Sequence, residues 1–419
     1  MEIYKFGGAS LKDAASVQNA ANIIRQSGFK VVVVCSAMGK ITNALEALHH
    51  QYFNHLPWGK EWLEIESFHA QMLADLYANM PEALPAAQDE LVQWQSRLHR
   101  FLSVPRSATY DFVYDQIVSV GELLSSVIFS RFLNNMGIAN TWLDIREHIL
   151  TDTNYRYAKL NWEISQRRLE LAFSEIDTQI VITQGFLGAT TMGHTTTLGR
   201  EGSDFTAAAL AYMLDAKQVT VWKDVDGVYN ADPKCYDKPQ KLDQISYNEA
   251  IELAFFGAQV IHPKTIKPLQ NKNIPLFVRS FLDTELQGTT IHDIKGHLEL
   301  PPIFIHKKEQ VLISIQPNDF SFIVEENLSK IFATFAQNGI RTNLMQNAAI
   351  SFSACFDYRA EKLDKLLDDL RANFIVKYNL GLELITIRHY TQAAMDEMTI
   401  GRNVYLTQRS RHTVRFVLK

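Results

Sequence analysis

The chain has 419 residues, 47% of them hydrophobic, and 41 basic against 46 acidic side chains leave a formal net charge of −5. That is apolar material for two or three domains, without the basic field that backbone-driven nucleic-acid binding requires. Cys35, Cys235 and Cys355 lie far apart and form no CxxC pair, so no disulfide framework and no metal ligands are read, and a reducing compartment is expected. The apolar run at Val31 to Val34 is far too short to cross a bilayer, and the N-terminal residues show no leader pattern. The expectation is a cytoplasmic protein with neither membrane nor nucleic-acid partner.

In chain order, residues 2–6 read as a strand broken by Gly7-Gly8, and apolar residues at Val17, Ala21 and Ile24 give a helix over Leu11 to Gln26. Phe29 to Cys35 is a β-branched run of the kind buried on both faces of a parallel sheet. Residues 44–134 are helical in character, punctuated by Pro57, Pro81, Pro85 and Pro105, and read as an insertion. The β/α rhythm returns with a strand at Ile180 to Thr183, a helix from Asp204 to Leu214 and a strand at Val219 to Trp222. A helix from Asn248 to Phe256 and a strand from Ile274 to Arg279 follow. An α/β domain over 1–295 is therefore expected. Beyond Gly296, Pro301 and Pro302 the pattern changes. A strand at Val311 to Ile315, helical faces at Leu328–Phe335 and Leu363–Leu370, alternation from Ile350 to Phe356 and a strand at Phe374 to Tyr378 predict a ferredoxin-like module over about 309–378. A shortened second copy, about 379–419, starts with a strand at Leu382 to Arg388 and ends in a hairpin around Ser410-Arg411-His412.

Five segments carry chemistry. Lys5-Phe6-Gly7-Gly8-Ala9-Ser10 joins a strand to a helix start, where free N–H groups, the positive end of the dipole and a lysine can receive phosphate oxygens. Taken alone, the same residues make an ordinary glycine turn. They match neither GxGxxG nor the Walker spacing. Thr195 to Asp204 (TTTLGREGSD) is a second loop feeding a helix; Ser203 or Asp204 by itself is an N-cap, but Arg200 beside it can clamp a carboxylate. Trp222 to Tyr229 with Ala231-Asp232-Pro233-Lys234, the Gly121-Glu122 pair and Phe256 to Pro263 each have a plain reading as turn, solvated helix start or structural histidine.

In this order and spacing the segments, with Ser36-Ala37-Met38, Thr42 and Thr183-Gln184-Gly185-Phe186, resemble the aspartate kinase branch of the amino acid kinase family over nearly the whole chain. The resemblance implies a three-layer αβα sandwich around a mainly parallel sheet, followed by α+β ferredoxin-like ACT modules at 303–419. It also implies phosphorylation of the side-chain carboxylate of L-aspartate by ATP with Mg²⁺, the first step toward lysine, threonine and methionine. By motif, Lys5 and Asp204 are the catalytic pair. Lys5, Gly7, Gly8, Ser10, Lys223, Asp224, Tyr229, Lys234 and Gln259 are assigned to the nucleotide, and Ser36, Thr42, Glu122, Phe186, Thr197, Arg200 and Ser203 to the amino acid. A homodimer or higher homo-oligomer and an amino-acid effector at the ACT modules are expected by the same analogy.

The chain departs from the family at Ala9, Glu201, Lys234 and Gln259, where Thr, Gly, Arg and Lys are usual, which implies weaker ATP binding. Asn343, Gln346, Asn347 and Ala348 stand where lysine-sensitive members carry an acid and hydroxyls, so weak or absent lysine inhibition is expected. Two other readings compete: an amino acid kinase with another carboxylate acceptor, and a catalytically impaired amino-acid sensor.

Overall fold

The computed structural model describes residues 1–104, 108–258, 261–296, 298–319 and 322–419; Gln259 lies outside the described residues. Two compact units result. One comprises Met1–Val228, Asp243–Ile251 and Val260–Gly296; the other comprises Tyr229–Leu242, Glu252–Gln259 and His297–Lys419.

The first unit is built on an eight-stranded sheet. Its central strands are β1 (Glu2–Phe6), β2 (Val31–Cys35), β4 (Ile180–Gln184) and β7 (Val219–Lys223), with β3 (Thr141–Leu143) at one edge. Across the sheet the order is Gln244–Ser246, Thr289–His292, Leu276–Ser280, β7, β1, β2, β4, β3. All pairs from Leu276–Ser280 to β3 are parallel, and Thr289–His292 runs antiparallel to Leu276–Ser280. Every residue of β2 is buried, as its unbroken Val run requires. Val31, Val33 and Cys35 enter the core cluster that contains the helical side, while Val32 and Val34 alternate to the opposite face.

On that helical side lie α1 (Ala14–Arg25), α2 (Ile41–Phe53), α3 (Gly59–Leu76), α4 (Leu84–Leu102), α5 (Tyr110–Val118) and α6 (Val120–Asn135). Among the described residues from 41 to 135 there is no strand. The stretch Tyr110–Asn135 is long and apolar enough to cross a membrane, yet 89% of its most apolar window is buried inside the protein, as befits a helix packed on all sides. On the opposite face α7 (Trp162–Glu175) and the helix Pro263–Lys272 pack on α8 (Gly202–Met213), which lies over β1, β2 and β7. The layers are therefore helix, sheet, helix.

Local detail differs from the sequence reading at the first helix. A single 3₁₀ turn, Gly8–Leu11, comes first, and α1 begins only after Asp13, whose carboxylate accepts from the Ser16 N–H at 2.8 Å. That side-chain cap is what sets the start. The short β3 and the hairpin of β5 (Leu187–Ala189) with β6 (Thr195–Thr197) were not legible as strands, since neither carries a period-two pattern long enough to count.

The second unit is a six-stranded antiparallel sheet in the order Thr342–Asn347, Phe352–Asp357, Ile303–Pro317, Phe374–Arg388, Thr413–Leu418, Val404–Arg409. Helices Glu325–Gln337 and Ala360–Arg371 cover one core, built from Ile313, Phe335, Phe352, Leu366 and their neighbours. Helix Gln392–Thr399 covers a smaller one with Ile385, Ile387 and Phe416. The sequence reads Phe374–Tyr378 and Leu382–Arg388 as separate strands, whereas one 15-residue strand runs through both. Gly381, at φ +65°, lies where the register with Ile303–Pro317 shifts, so the glycine marks a bulge rather than a turn. Two earlier segments join this unit: the Phe304 N–H donates to the Asn230 carbonyl at 2.7 Å, and Arg388 pairs with Glu252 at 2.9 Å.

Candidate active site

Because β1, β2, β4 and β7 are parallel, their C-terminal ends share one edge of the sheet, the edge where open α/β sheets bind ligands. Four of the five sequence segments leave from that edge or from a helix that starts beside it. A cavity of about 450 Å³ opens there, lined by Lys5, Gly8, Ser36, Thr42, Glu122, Phe186, Arg200, Ser203 and Asp204 among the predicted residues. It is of the size small-molecule sites usually have.

Lys5, on the innermost strand, reaches Asp204 in the first turn of α8, with Nζ 2.7 Å from Oδ1 and side chains only 12% and 5% exposed. Burial alone would raise the Asp204 pKa, but the Lys5 and Lys223 ammonium groups and the Lys5 hydrogen bond hold it below the usual carboxylate range. Lys223 itself is held down by burial, against the attraction of Asp204. Two cations thus flank one carboxylate; of the three, Lys5 and Asp204 line the cavity and Lys223 does not.

The loop glycines serve close packing. A Cβ on Gly8 would lie 2.8 Å from the Gly39 carbonyl oxygen and 2.9 Å from that of Ala37, and the Gly39 N–H donates to the Gly8 carbonyl at 3.0 Å. The turn Gly8–Leu11 and the loop after β2 are thereby locked together. A Cβ on Gly7 would stand 3.3 Å from the Lys5 ammonium. Ser10 is buried and its hydroxyl donates to the Trp222 carbonyl at 3.1 Å, so it braces the loop and is not among the lining residues.

Glu122 sits in the first turn of α6, 3% exposed, with Oε1 accepting from the Ala37 N–H at 3.2 Å and Oε2 buried without a partner. Burial pushes its carboxyl up to about 8, although the Ala37 and Glu122 N–H groups and Lys5 favour the charged form. An unsatisfied buried acid in a polar cavity is matched by a ligand ammonium. Phe186 adopts φ +71° and its N–H donates to Thr206 Oγ1 at 2.9 Å. Its ring lies where a Cβ on Gly202 would be, 2.5 Å away, so the strand end and the start of α8 are in direct contact.

Not every predicted residue meets the cavity. Thr197 is fully buried and both its N–H and hydroxyl go to Asp115, at 2.9 and 2.6 Å. Asp224 follows β7 and is exposed. Tyr229 and Lys234 belong to the second unit, where the Lys234 N–H donates to Asp232 at 2.9 Å. Glu201 lines the cavity at φ +54°, a left-handed position that glycine adopts without strain. The wall also includes Glu46, Tyr114, Arg156 and Tyr157, which the sequence reading missed. Tyr114 donates to Glu46 at 2.6 Å, and the Arg156 guanidinium lies 4.5 Å from the Tyr114 ring centre. No glycine loop or strand end marks these residues in the sequence, which is why motif reading passes over them.

Among the described residues no group of three or more His, Cys, Asp or Glu side chains could hold a metal ion. Mg²⁺ characteristically binds through one or two carboxylates and the phosphates of a nucleotide. Asp204 supplies one such carboxylate beside the cavity, so the donor set fits a cation that arrives with the nucleotide.

The model for the amino acid kinase family matches residues 1–280. Lysine-sensitive aspartokinase 3 of Escherichia coli K12 is 30% identical over 404 residues, covering 92% of this chain and 86% of that protein. Escherichia coli aspartokinase III in complex with lysine and aspartate (T-state) has a similar fold at a TM-score of 0.84 and 26% identity, over 100% of this chain and 95% of that one. The same enzyme in complex with aspartate and ADP (R-state) gives 0.80 and 27%, over 100% and 96%. Matched in sequence from β1 through the strand Leu276–Ser280 and in fold throughout, the chain belongs to the amino acid kinase family, in its aspartokinase branch.

Proposed function

We propose that this protein transfers the γ-phosphoryl group of ATP to the side-chain carboxylate of L-aspartate. The observation that carries the reading is one cavity holding the Lys5–Asp204 ion pair at one wall and an unpartnered buried acid, Glu122, at another. A polyanion and an amino acid's ammonium need those two features side by side. The aspartate and ADP bound by the Escherichia coli relative support the same pair of ligands.

The acceptor carboxylate, with a reference pKa of about 3.9, arrives ionised and needs no general base. One of its oxygens attacks the γ-phosphorus; the bond to the β,γ-bridging oxygen breaks, and ADP leaves with that electron pair. The barrier is the approach of one anion to another, so the protein's part is positioning and charge. Lys5, steered by Asp204, neutralises the transferring group. Arg200 clamps the α-carboxylate, Glu122 gives up its proton and pairs with the α-ammonium, and Ser36, Thr42 and Ser203 offer hydroxyls along the wall, with Phe186 closing it. Mg²⁺, when bound with the nucleotide, supplies further charge neutralisation. Gly7, Gly8, Lys223 and Asp224 keep their nucleotide assignment, and Ser10 serves as a brace. The cytoplasmic site of action, the homo-oligomer and an amino-acid effector at the second unit rest on the family.

Purified protein given Mg-ATP and L-aspartate, with hydroxylamine trapping the acyl phosphate, is expected to form aspartyl hydroxamate, and about tenfold or more less product from L-glutamate. Folded protein that is stabilised by ADP yet makes no aspartyl hydroxamate overturns the reading.

A further inference from the structure

Asp115, on α5, is completely buried, and its carboxylate accepts four hydrogen bonds. Two come from the Arg156 N–H, at 3.1 and 3.0 Å, and two from Thr197, through its N–H at 2.9 Å and its hydroxyl at 2.6 Å. Burial pushes the carboxyl up to about 6, against donors that favour the charged form. A buried carboxylate is an expensive way to satisfy backbone N–H groups, and none of these bonds lies within α5. They go to two other segments, and both end at the cavity.

The first segment is β6, whose last residue is Thr197; Leu198 and Gly199 alone separate it from Arg200. The second is the loop through Arg156, held at φ +67°, a left-handed conformation that is strained for a non-glycine residue. The two segments touch beside Arg200. The Ala158 N–H donates to the Thr197 carbonyl at 3.0 Å, and a Cβ on Gly199, itself at φ +79°, would lie 2.9 Å from the Tyr157 ring and 3.3 Å from the Arg156 carbonyl. Further bonds tie β6 and its loop to their neighbours: Gln116 donates to the Thr195 carbonyl at 2.8 Å and Lys264 to the Leu198 carbonyl at 3.0 Å. Asp115 reaches both cavity-lining segments at once.

We propose that Asp115 is a positioning residue of the acceptor pocket, acting through Thr197 and Arg156 to fix Arg200 and the facing loop at the spacing the acceptor's carboxylate requires. This rests on the reading of Arg200 as the carboxylate clamp. It assigns Thr197 a supporting place behind the wall.

The test compares the parent chain with Asp115→Asn, which turns an amide donor toward existing donors, and Thr197→Val, which removes one hydroxyl and is the variant to read if the first does not fold. Hydrogen exchange over residues 152–158 and 195–201 is measured alongside ADP affinity and aspartate kinetics. Faster exchange in both segments, ADP affinity within about twofold of the parent, and a KM for aspartate raised about tenfold or more support the proposal. Exchange unchanged in both segments, aspartate KM unchanged in a folded variant, or ADP affinity falling in step with aspartate KM overturns it. A parent chain that makes no aspartyl phosphate refutes the proposed activity, and the exchange measurement still decides whether Asp115 holds the two segments.

Discussion

Lys5 and Asp204 form an ion pair that is almost wholly withdrawn from water, so under the proposed function the loss of Lys5 is expected to tell on both stability and turnover. Lys5→Ala leaves a buried carboxylate facing only Lys223. An unfolding free energy lower by about 3 kcal/mol is expected in urea titrations, with turnover down ~10² to 10³ and the protein still folded. Full activity in that variant would remove Lys5 from the transfer centre. At Glu122 the effect is one of pH. In the unfolded chain its carboxyl ionises near 4.5, in the native state near 8. Between those values the native state keeps a proton the unfolded chain has lost, so this group's contribution to stability falls as pH rises through that window. Glu122→Gln should flatten that slope, gaining on the parent by on the order of a few kcal/mol between pH 5 and pH 8.5. Because an ammonium favours ionised Glu122, aspartate binding at pH 7 should release a proton. Calorimetry in two buffers of different ionisation enthalpy reads this directly, and a heat independent of buffer would detach Glu122 from the ammonium.

At the scale of elements, the site depends on how closely strand ends approach helix starts. A Cβ on Gly185, just past β4, would sit 2.4 Å from the Ser203 Cβ and 2.7 Å from its Cα, which is backbone and cannot swing aside. Gly185→Ala therefore pushes the first turn of α8 away from the sheet, moving Ser203 and Asp204 together. The expected cost is about 1–3 kcal/mol in unfolding free energy, with kcat/KM for aspartate reduced far more than that loss of stability would suggest. A variant as active as the parent would mean that this contact does not set the site. The glycine loops, the β-branched run of β2 and the segments after β1, β2, β4 and β7 were legible in the sequence because each is a local pattern. The wall made by Glu46, Tyr114, Arg156 and Tyr157 was not: its residues come from α2, α5 and an irregular loop, and only packing brings them to one surface.

At the scale of the whole molecule, the expected response to lysine rests on the second unit. Asn343, which stands where an acid is expected for lysine recognition, is already engaged: it accepts from Lys307 at 2.8 Å and donates to Gln310 and Asp357, each at 2.8 Å. Burial would raise the Asp357 pKa, but Gln310, Asn343 and Lys307 hold it low, so this carboxylate is already matched within the protein. An effector ammonium therefore finds no spare carboxylate in this network. Lysine is expected to cause no half-inhibition below about 1 mM in the hydroxamate assay, in contrast to the lysine-sensitive Escherichia coli relative. Strong inhibition at lower concentration would show that lysine is recognised elsewhere.

The amino-acid sequence by itself determined the element types of the β-α-β start, the helical run before β3, the two glycine loops and the change to an antiparallel architecture after residue 296. Those are set by periodicity, side-chain branching and turn chemistry within a few residues. Only the tertiary structure decided that Ser10 bonds the Trp222 carbonyl and Thr197 bonds Asp115, that Asp115 reaches two segments ending at the cavity, that Gly381 makes a bulge inside one continuous strand, and that burial pushes the Glu122 carboxyl up to about 8. Burial and hydrogen-bond partnership are sums over segments far apart in the chain, and no local pattern encodes a sum.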